Sequence, residues 1–244
     1  MKVVLASKNQ HKLVEMRDIL AAQGVEVRLI YDDMGCIFSL PRDYNEQLAA
    51  RGIQCRVFNR FVPIMSLRLN NRVLESEVGA DVEVEETGTT FEENSLLKAR
   101  AVMECTGLPS IADDSGLVVD ALNGAPGVYS ARYGGEGLDD VGRYRLLLEN
   151  MRGQLDRTCR FVSVITLCMP NGDVITARGE CRGTLAYAPQ GENGFGYDPV
   201  FFVPEKKKTF AQLTGEEKNA ISHRGNALKE FQIKLERYLN GSNK

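Results

Sequence analysis

Short apolar runs alternate along the chain with stretches whose apolar positions recur every three or four residues, the pattern of strands followed by helices. Residues 2–6 form an apolar run of strand type, and the turn that begins at Ser7 leads into Leu13, Met16, Ile19 and Leu20 at helical spacing. Gly24 closes that helix, and residues 25–30 alternate as a second strand. Farther on, Thr90-Phe91-Glu92-Glu93 has the form of a capping box, opening a helix through Leu96, Leu97, Ala101 and Val102 that stops at Gly107. Residues 110–119 carry a strand pattern interrupted by Asp113-Asp114-Ser115-Gly116. Asp139 or Asp140 can cap a helix running to about Met151, and residues 160–168 and 173–181 read as strands joined by the turn Pro170-Asn171-Gly172. Ser222 caps a last amphipathic helix whose stripe is Ala227, Leu228, Phe231, Leu235 and Leu239. Strands and helices alternating, with one hairpin, predict a single α/β or α+β domain.

Composition narrows the classes. With 43% hydrophobic and 26% charged residues the chain has the make-up of a globular protein, and no apolar run approaches the ~18 residues of a membrane span. The first residues turn polar too soon for a secretory signal, so the expected location is the cytoplasm, with no stable membrane association. Six cysteines without a C-x-x-C pair, and only two histidines, leave no zinc constellation. A net charge of −3 argues against nucleic acid as a partner and leaves room for a local basic pocket that takes a phosphorylated small molecule. Residues 28–72 stand apart: they hold seven arginines, no lysine, and the apolar patch Phe61-Val62-Pro63-Ile64-Met65.

Five polar clusters could carry chemistry. Ser7, Lys8 and Asn9 lie where a strand hands over to a helix, with Lys12 in its first turns, a place where free N–H groups and the helix dipole attract phosphate; a plain capped helix explains the same residues. Glu83, Glu85 and Glu86 precede Thr87-Gly88-Thr89-Thr90, and the pair Asp113-Asp114 interrupts an apolar strand. Carboxylates in a buried strand are costly unless something positive neutralises them, and a hard cation such as Mg²⁺ is the economical answer, a solvated strand edge being the bland reading for the glutamates. Gly191 to Pro199 sets Phe195 and Tyr197 among glycines, an arrangement that lets a ring stack on a flat ligand or simply makes a tight turn. Ser222-His223-Arg224 offers a donor-rich set suited to a base edge or a phosphate. Lys98 and Lys218 taken alone read as solvated surface lysines.

In this order the clusters are similar to those of one family. Residues 1–27 and 73–244 resemble the inosine/xanthosine triphosphate pyrophosphatases, the Ham1-like enzymes, through Ala6 to Lys12, Glu85 to Asn94, Ile111 to Asp120, Gly124 to Tyr133, Gly194 to Pro199 and Glu217 to Arg224. That resemblance implies an elongated, two-lobed α/β fold with a long twisted mixed sheet and flanking helices. It also implies a homodimer, and Mg²⁺-dependent hydrolysis of ITP, dITP or XTP to monophosphate and pyrophosphate. By the same resemblance Glu86, with Glu85 and Glu15, and Asp114 would hold the metal. Asp113 or Asp114 would activate water, and Lys12, Lys98 and Lys218 would meet the phosphates together with Ser7, Lys8, Asn9 and Ser115. Phe195 would stack on the purine with Gly196, Tyr197 and Asp198 beside it, and Ser222, His223 and Arg224 would read its 6-keto edge.

Residues 28–72 depart from that family's pattern and resemble part of bacterial cardiolipin synthase, ending where that enzyme's first H-x-K motif would begin; without a histidine they cannot carry its chemistry. Their own pattern is βαβ-like, with strands over 25–30 and 53–58 and a helix between Pro41 and Gly52, and they are expected to protrude from one pyrophosphatase domain as a semi-independent lobe. The rival functions are a pyrophosphatase of modified pyrimidine nucleotides on a related fold, and a chain that the insert has turned into an inactive or lipid- and partner-associating module.

Overall fold

The computed structural model describes residues 2–6, 26–32, 54–58, 84–135 and 137–241, with side chains from residue 84 onward. One mixed sheet of eight strands runs through it. In chain order these are β1 (Lys2–Ala6), β2 (Glu26–Asp32), β3 (Gln54–Phe58), β4 (Ser110–Val119), β5 (Thr158–Cys168), β6 (Val174–Leu185), β7 (Phe201–Val203) and β8 (Lys208–Thr209). Across the sheet the order is β3-β2-β1-β4-β5-β6-β7-β8. The first four of these run parallel and the rest antiparallel.

The hairpin expected at Pro170-Asn171-Gly172 joins β5 to β6. Gly172, at φ 94°, takes a left-handed turn position that its missing Cβ permits. The helices begin and end where their caps dictate. In α1 (Phe91–Thr106) Thr90 accepts from Glu93 N while Glu93 reaches back, and Gly107 closes the helix at φ 65°. Asp139 caps α2 (Asp140–Asn150), and Thr214 with Glu217 boxes the short α3 (Gly215–Ile221). Ser222 Oγ accepts from Gly225 N at 3.0 Å and so starts α4 (His223–Gly241).

Two departures from the sequence reading stand out. β4 is one unbroken strand paired with β5 residue by residue from Ser110↔Cys168 to Val119↔Cys159, so the aspartates do not interrupt it. The strands of the arginine-rich segment also do not stand as a lobe apart. β2 pairs with β1 over Lys2↔Glu26 to Ala6↔Ile30, and β3 pairs with β2 over Arg28↔Gln54 to Asp32↔Phe58, so both widen the main sheet at one edge. Their parallel pairing suits the βαβ reading, with strand bounds within two residues of those expected. The helices expected over 8–24 and 41–52, and the patch Phe61 to Met65, lie outside the described residues.

Apolar packing gathers at two ends of the long strands. Toward the C-terminal end of β4, Leu117, Val119, Phe161, Cys181, Phe201 and Phe210 form a core with Leu147 and Met151 of α2 and the residue after it. Near the N-terminal end of β4, Ala99, Leu96 and Met103 of α1 pack on Ala112 and Cys168. This is the α/β architecture, long mixed sheet and flanking helices, that the resemblance implies. α4 lies against β6 so closely that a Cβ on Gly179 would stand 2.1 Å from Ala227 N and 2.2 Å from the His223 carbonyl oxygen.

That contact generates a prediction. Gly179→Ala forces backbone apart at the seam that carries His223 and Arg224, and should lower unfolding stability in urea by about 1–3 kcal/mol. A midpoint equal to that of the wild type would show that α4 does not sit this close to β6.

Candidate active site

The pleat of β4 sends neighbouring side chains to opposite faces. Asp114 shares its face with α1, and Asp113 points to the other. Both are buried, at 7% and 6% exposure, so neither charge is hydrated as it would be at a surface. α1 supplies what Asp114 needs. Asn94 and Lys98 are four residues apart on one helix face, so both reach the same carboxylate. Lys98 Nζ donates to Asp114 Oδ1 at 2.8 Å, and Asn94 Nδ2 lies 3.5 Å from Oδ2.

The same lysine donates to Glu86 Oε1 at 2.9 Å. Glu86 is brought in by the segment before α1, which is pinned where Gly88 N donates to Asn94 Oδ1 at 2.9 Å; a Cβ on Gly88 would meet that oxygen at 2.5 Å. On its other side Glu86 meets Arg132, whose guanidinium reaches Oε2 at 3.1 Å and the backbone oxygen of Glu86 at 3.4 Å. Burial would raise the Glu86 pKa, but the hydrogen bonds and charges of Lys98 and Arg132 outweigh it and hold the carboxyl below its usual range. Burial likewise pulls the Lys98 pKa down, and the charges of Asp113 and Asp114 with the Asp114 and Glu86 hydrogen bonds lift it above the ordinary lysine value. Asp113 therefore acts on Lys98 through its charge although it points to the other face.

Glu86 and Asp114 thus place one oxygen each on a single ammonium, and a pair of hard oxygens on one positive point suits Mg²⁺. Among the described residues no group of three or more His, Cys, Asp or Glu gathers at one place. Glu85 is exposed, turned away from this pair by the same extended alternation that turns Glu86 in.

A second cluster forms around Lys218. Its Nζ donates to Asp198 Oδ2 at 2.6 Å, and the same oxygen accepts from Phe195 N at 3.0 Å, which folds the glycine-rich loop back on itself. Lys218 Nζ stands 5.0 Å from the centre of the Phe195 ring and 5.4 Å from that of Phe210, and the two isolated lysines of the sequence are both half-buried partners of carboxylates. Gly196 N donates to Asp140 Oδ2 at 2.8 Å. Tyr197 is buried and its hydroxyl donates to the Ser130 carbonyl at 2.9 Å, a position that holds the loop rather than presenting a ring to a ligand; burial raises its pKa. Ser222 is committed to the α4 cap. His223 stacks on Phe161 at 4.7 Å and 15°, and Arg224 is 3% exposed beside it. Ser115, next to the aspartates on β4, is half-buried.

Ser7, Lys8, Asn9, Lys12 and Glu15 lie outside the described residues. Register fixes where the chain leaves for them: Leu5 is paired with Ile111, so β1 ends at the level of Ala112, one step from the aspartates. Asn94 and Arg132 were not among the expected site residues. The i, i+4 spacing of Asn94 to Lys98 carried a signal for the first, whereas nothing local ties Arg132 to a glutamate 46 positions earlier.

The chain matches the Ham1 family over residues 59–234. It is 51% identical over 159 residues to a dITP/XTP pyrophosphatase of Exiguobacterium sp., covering 65% of this chain and 81% of that protein. With the dITP/XTP pyrophosphatase of Desulfotalea psychrophila it shares 38% identity over 230 residues, 94% of this chain and 83% of the relative. Among solved structures, the Staphylococcus aureus Ham1 protein superposes with a TM-score of 0.72 at 35% identity, covering 99% of this chain and all of that one. A HAM1 protein from Coxiella burnetii gives 0.71 at 36% identity, with 97% and 99% covered. Nothing in these likenesses supports the resemblance of residues 28–72 to cardiolipin synthase.

The Lys98 bridge predicts a pH signature. The Glu86 pKa is depressed on folding, so its contribution to stability is present above its unfolded value near 4.5 and is lost as the pH falls below that. Lys98→Met leaves two carboxylates facing each other, one of them buried, and should cost up to about 3 kcal/mol at pH 7. Acid then relieves the variant by protonating those carboxylates and, below about pH 4.5, also weakens the wild type, so the gap in urea midpoint should narrow as the pH falls from about 7 to about 4. A gap independent of pH would show that Lys98 does not hold the pair together.

Proposed function

The chain belongs to the Ham1 family, and we propose that Glu86 and Asp114 are the protein's Mg²⁺ ligands in the hydrolysis of ITP, dITP and XTP to monophosphate and pyrophosphate. The protein is a nucleoside triphosphate pyrophosphatase. The observation that carries the site reading is the meeting of Glu86 and Asp114 on Lys98, two carboxylates sharing one ammonium, with Asp114 on the strand that begins beside the end of β1.

When bound, the metal would neutralise phosphate charge and favour attack at phosphorus. The remaining roles belong to the chain. Lys98, a point charge on a flexible stem, passes from the two carboxylates to a phosphate oxygen as the triphosphate enters. Asp113 or Asp114 accepts a proton from the water that attacks the α-phosphorus, and pyrophosphate leaves. Lys12 adds positive charge, with Ser7, Lys8 and Asn9 as phosphate contacts, and Glu15 serves as a further metal-side carboxylate, whereas Glu85 faces away from the pair and takes no part. Phe195 stacks on the purine with Gly196 beneath it, held by the Asp198–Lys218 pair and by Tyr197. His223 and Arg224 read the 6-oxo edge, with Ser222 setting the helix that presents them. Donors aimed at a 6-oxo group face another donor in adenine's 6-amino group, which rejects ATP. The same reading makes the protein a cytoplasmic homodimer that keeps the nucleotide pool free of deaminated purines. It is a single catalytic domain into which residues 28–72 are inserted.

Pyrophosphate release with Mg²⁺ should be at least about a hundredfold faster in kcat/KM with ITP or XTP than with ATP. Asp114→Asn, which keeps the volume and removes the charge, should lower turnover about 100-fold or more while far-ultraviolet circular dichroism stays that of the wild type. Comparable turnover of ATP would overturn the base-recognition part of the proposal, and full activity of Asp114→Asn would overturn the metal part.

A further inference from the structure

The run Gly124 to Tyr133 matched the family pattern without a role attached to it, and the structure ties it to three parts of the site. Ser130 Oγ accepts from Leu117 N at 2.9 Å and donates to the Gly127 carbonyl at 2.7 Å, which locks residues 127–130 onto β4 three positions past Asp114. β4 leaves no side chain in the way, because a Cβ on Gly116 would stand 2.3 Å from the Gly127 carbonyl oxygen and 2.5 Å from Ser130 Oγ. The Ser130 carbonyl receives the Tyr197 hydroxyl at 2.9 Å, a direct bond to the loop that carries Phe195. Two residues on, Arg132 grips both the carboxylate and the backbone oxygen of Glu86, while its guanidinium carbon lies over the Tyr129 ring, 5.1 Å from the centroid.

We propose that Arg132 is a positioning residue for Glu86, mounted on a brace, residues 127–132, that is bonded both to the aspartate strand and to the Phe195 loop. The inference rests on the reading of Glu86 and Asp114 as the metal pair and deepens it. Lys98 and Arg132 take one oxygen of Glu86 each, and their chemistry divides the work. Lys98 is a single ammonium shared with Asp114, able to let go of the pair when a stronger charge arrives. Arg132 is a planar fork bonded at two points of the same residue, so it holds Glu86 aimed at Asp114 after Lys98 has moved. A merely structural ion pair at this level of exposure, 43% for the Arg132 side chain, would add little to stability and nothing to the aim of the carboxylate.

The test compares the full-length wild type with Arg132→Gln and Arg132→Lys in three measurements. The first is Mn²⁺ binding to the substrate-free protein by electron paramagnetic resonance. The second is the separate determination of kcat and KM for ITP at saturating Mg²⁺, and the third is thermal melting. Arg132→Gln should weaken Mn²⁺ binding and lower kcat, each about 10- to 100-fold, with KM changed less than threefold and the melting temperature within a degree or two. Arg132→Lys should recover part of the loss, because an ammonium can meet Oε2 but cannot bridge to the backbone oxygen as well. Wild-type Mn²⁺ affinity and kcat in Arg132→Gln would overturn the proposal. So would a fall in activity matched by an equal fall in thermal stability, or a wild type that binds no Mn²⁺. A wild type that binds Mn²⁺ but hydrolyses no ITP would instead refute the substrate reading, and the Mn²⁺ affinities of the variants would still decide the role of Arg132.

Discussion

Asp114 occupies the middle of β4, paired to β5 and just past the end of β1, where it is almost fully buried, and an uncompensated charge there would cost several kcal/mol. Lys98 removes that cost, and much of the arrangement around it follows. α1 must lie over the β4–β5 pair with its Asn94–Lys98 face turned to the sheet. The segment before α1 must double back through Gly88, and Glu86 must come in from the side. The result is a set of charges that satisfy one another and that a more highly charged ligand can rearrange. On the proposed reading, a ligand that brings both a metal ion and phosphates gives the lysine an anion to move to when the metal takes its place.

The long central strands set the distance over which the site works. The core around Phe161, Phe201 and Phe210 builds one end and holds His223 against the sheet, while α1 packs at the other. A polar stretch lies between them on β4, where Asp113, Asp114 and Ser115 are neither end's packing surface. The parallel half of the sheet delivers β1 to the same level, with Leu5 beside Ile111. β2 and β3 extend the sheet on the side of β1 away from β4, so neither of them pairs with the strand that carries the aspartates.

Much of this was legible in the sequence because it rests on local rules. Capping at Thr90, Asp139 and Ser222, the stop at Gly107 and the turn at Gly172 are each decided within four or five residues. What was not legible depends on pairing at a distance. The aspartate pair looked like a break in a strand, because polarity alone does not reveal that one carboxylate faces a lysine from α1 and the other the opposite side. Lys98 and Lys218 looked like surface residues, because burial of a lysine is set by the carboxylates that tertiary structure brings to it. Tyr197 looked like a ligand-facing ring for the same reason, its hydroxyl partner lying 67 residues away. The strands of the arginine-rich segment were found by their alternation, but their place in the main sheet was not, since register with β1 is a long-range choice.

The central claim is that one cation-bridged pair, Glu86 and Asp114, is where metal and triphosphate meet. It is tested most directly by a crystal structure of the full chain with Mn²⁺ and a non-hydrolysable ITP analogue, the metal being located by its anomalous signal. The account predicts a single strong peak within about 2.2 Å of an oxygen of Glu86 and an oxygen of Asp114, with Lys98 Nζ moved onto a phosphate oxygen. A metal bound elsewhere, with Lys98 still bridging the two carboxylates, would contradict it.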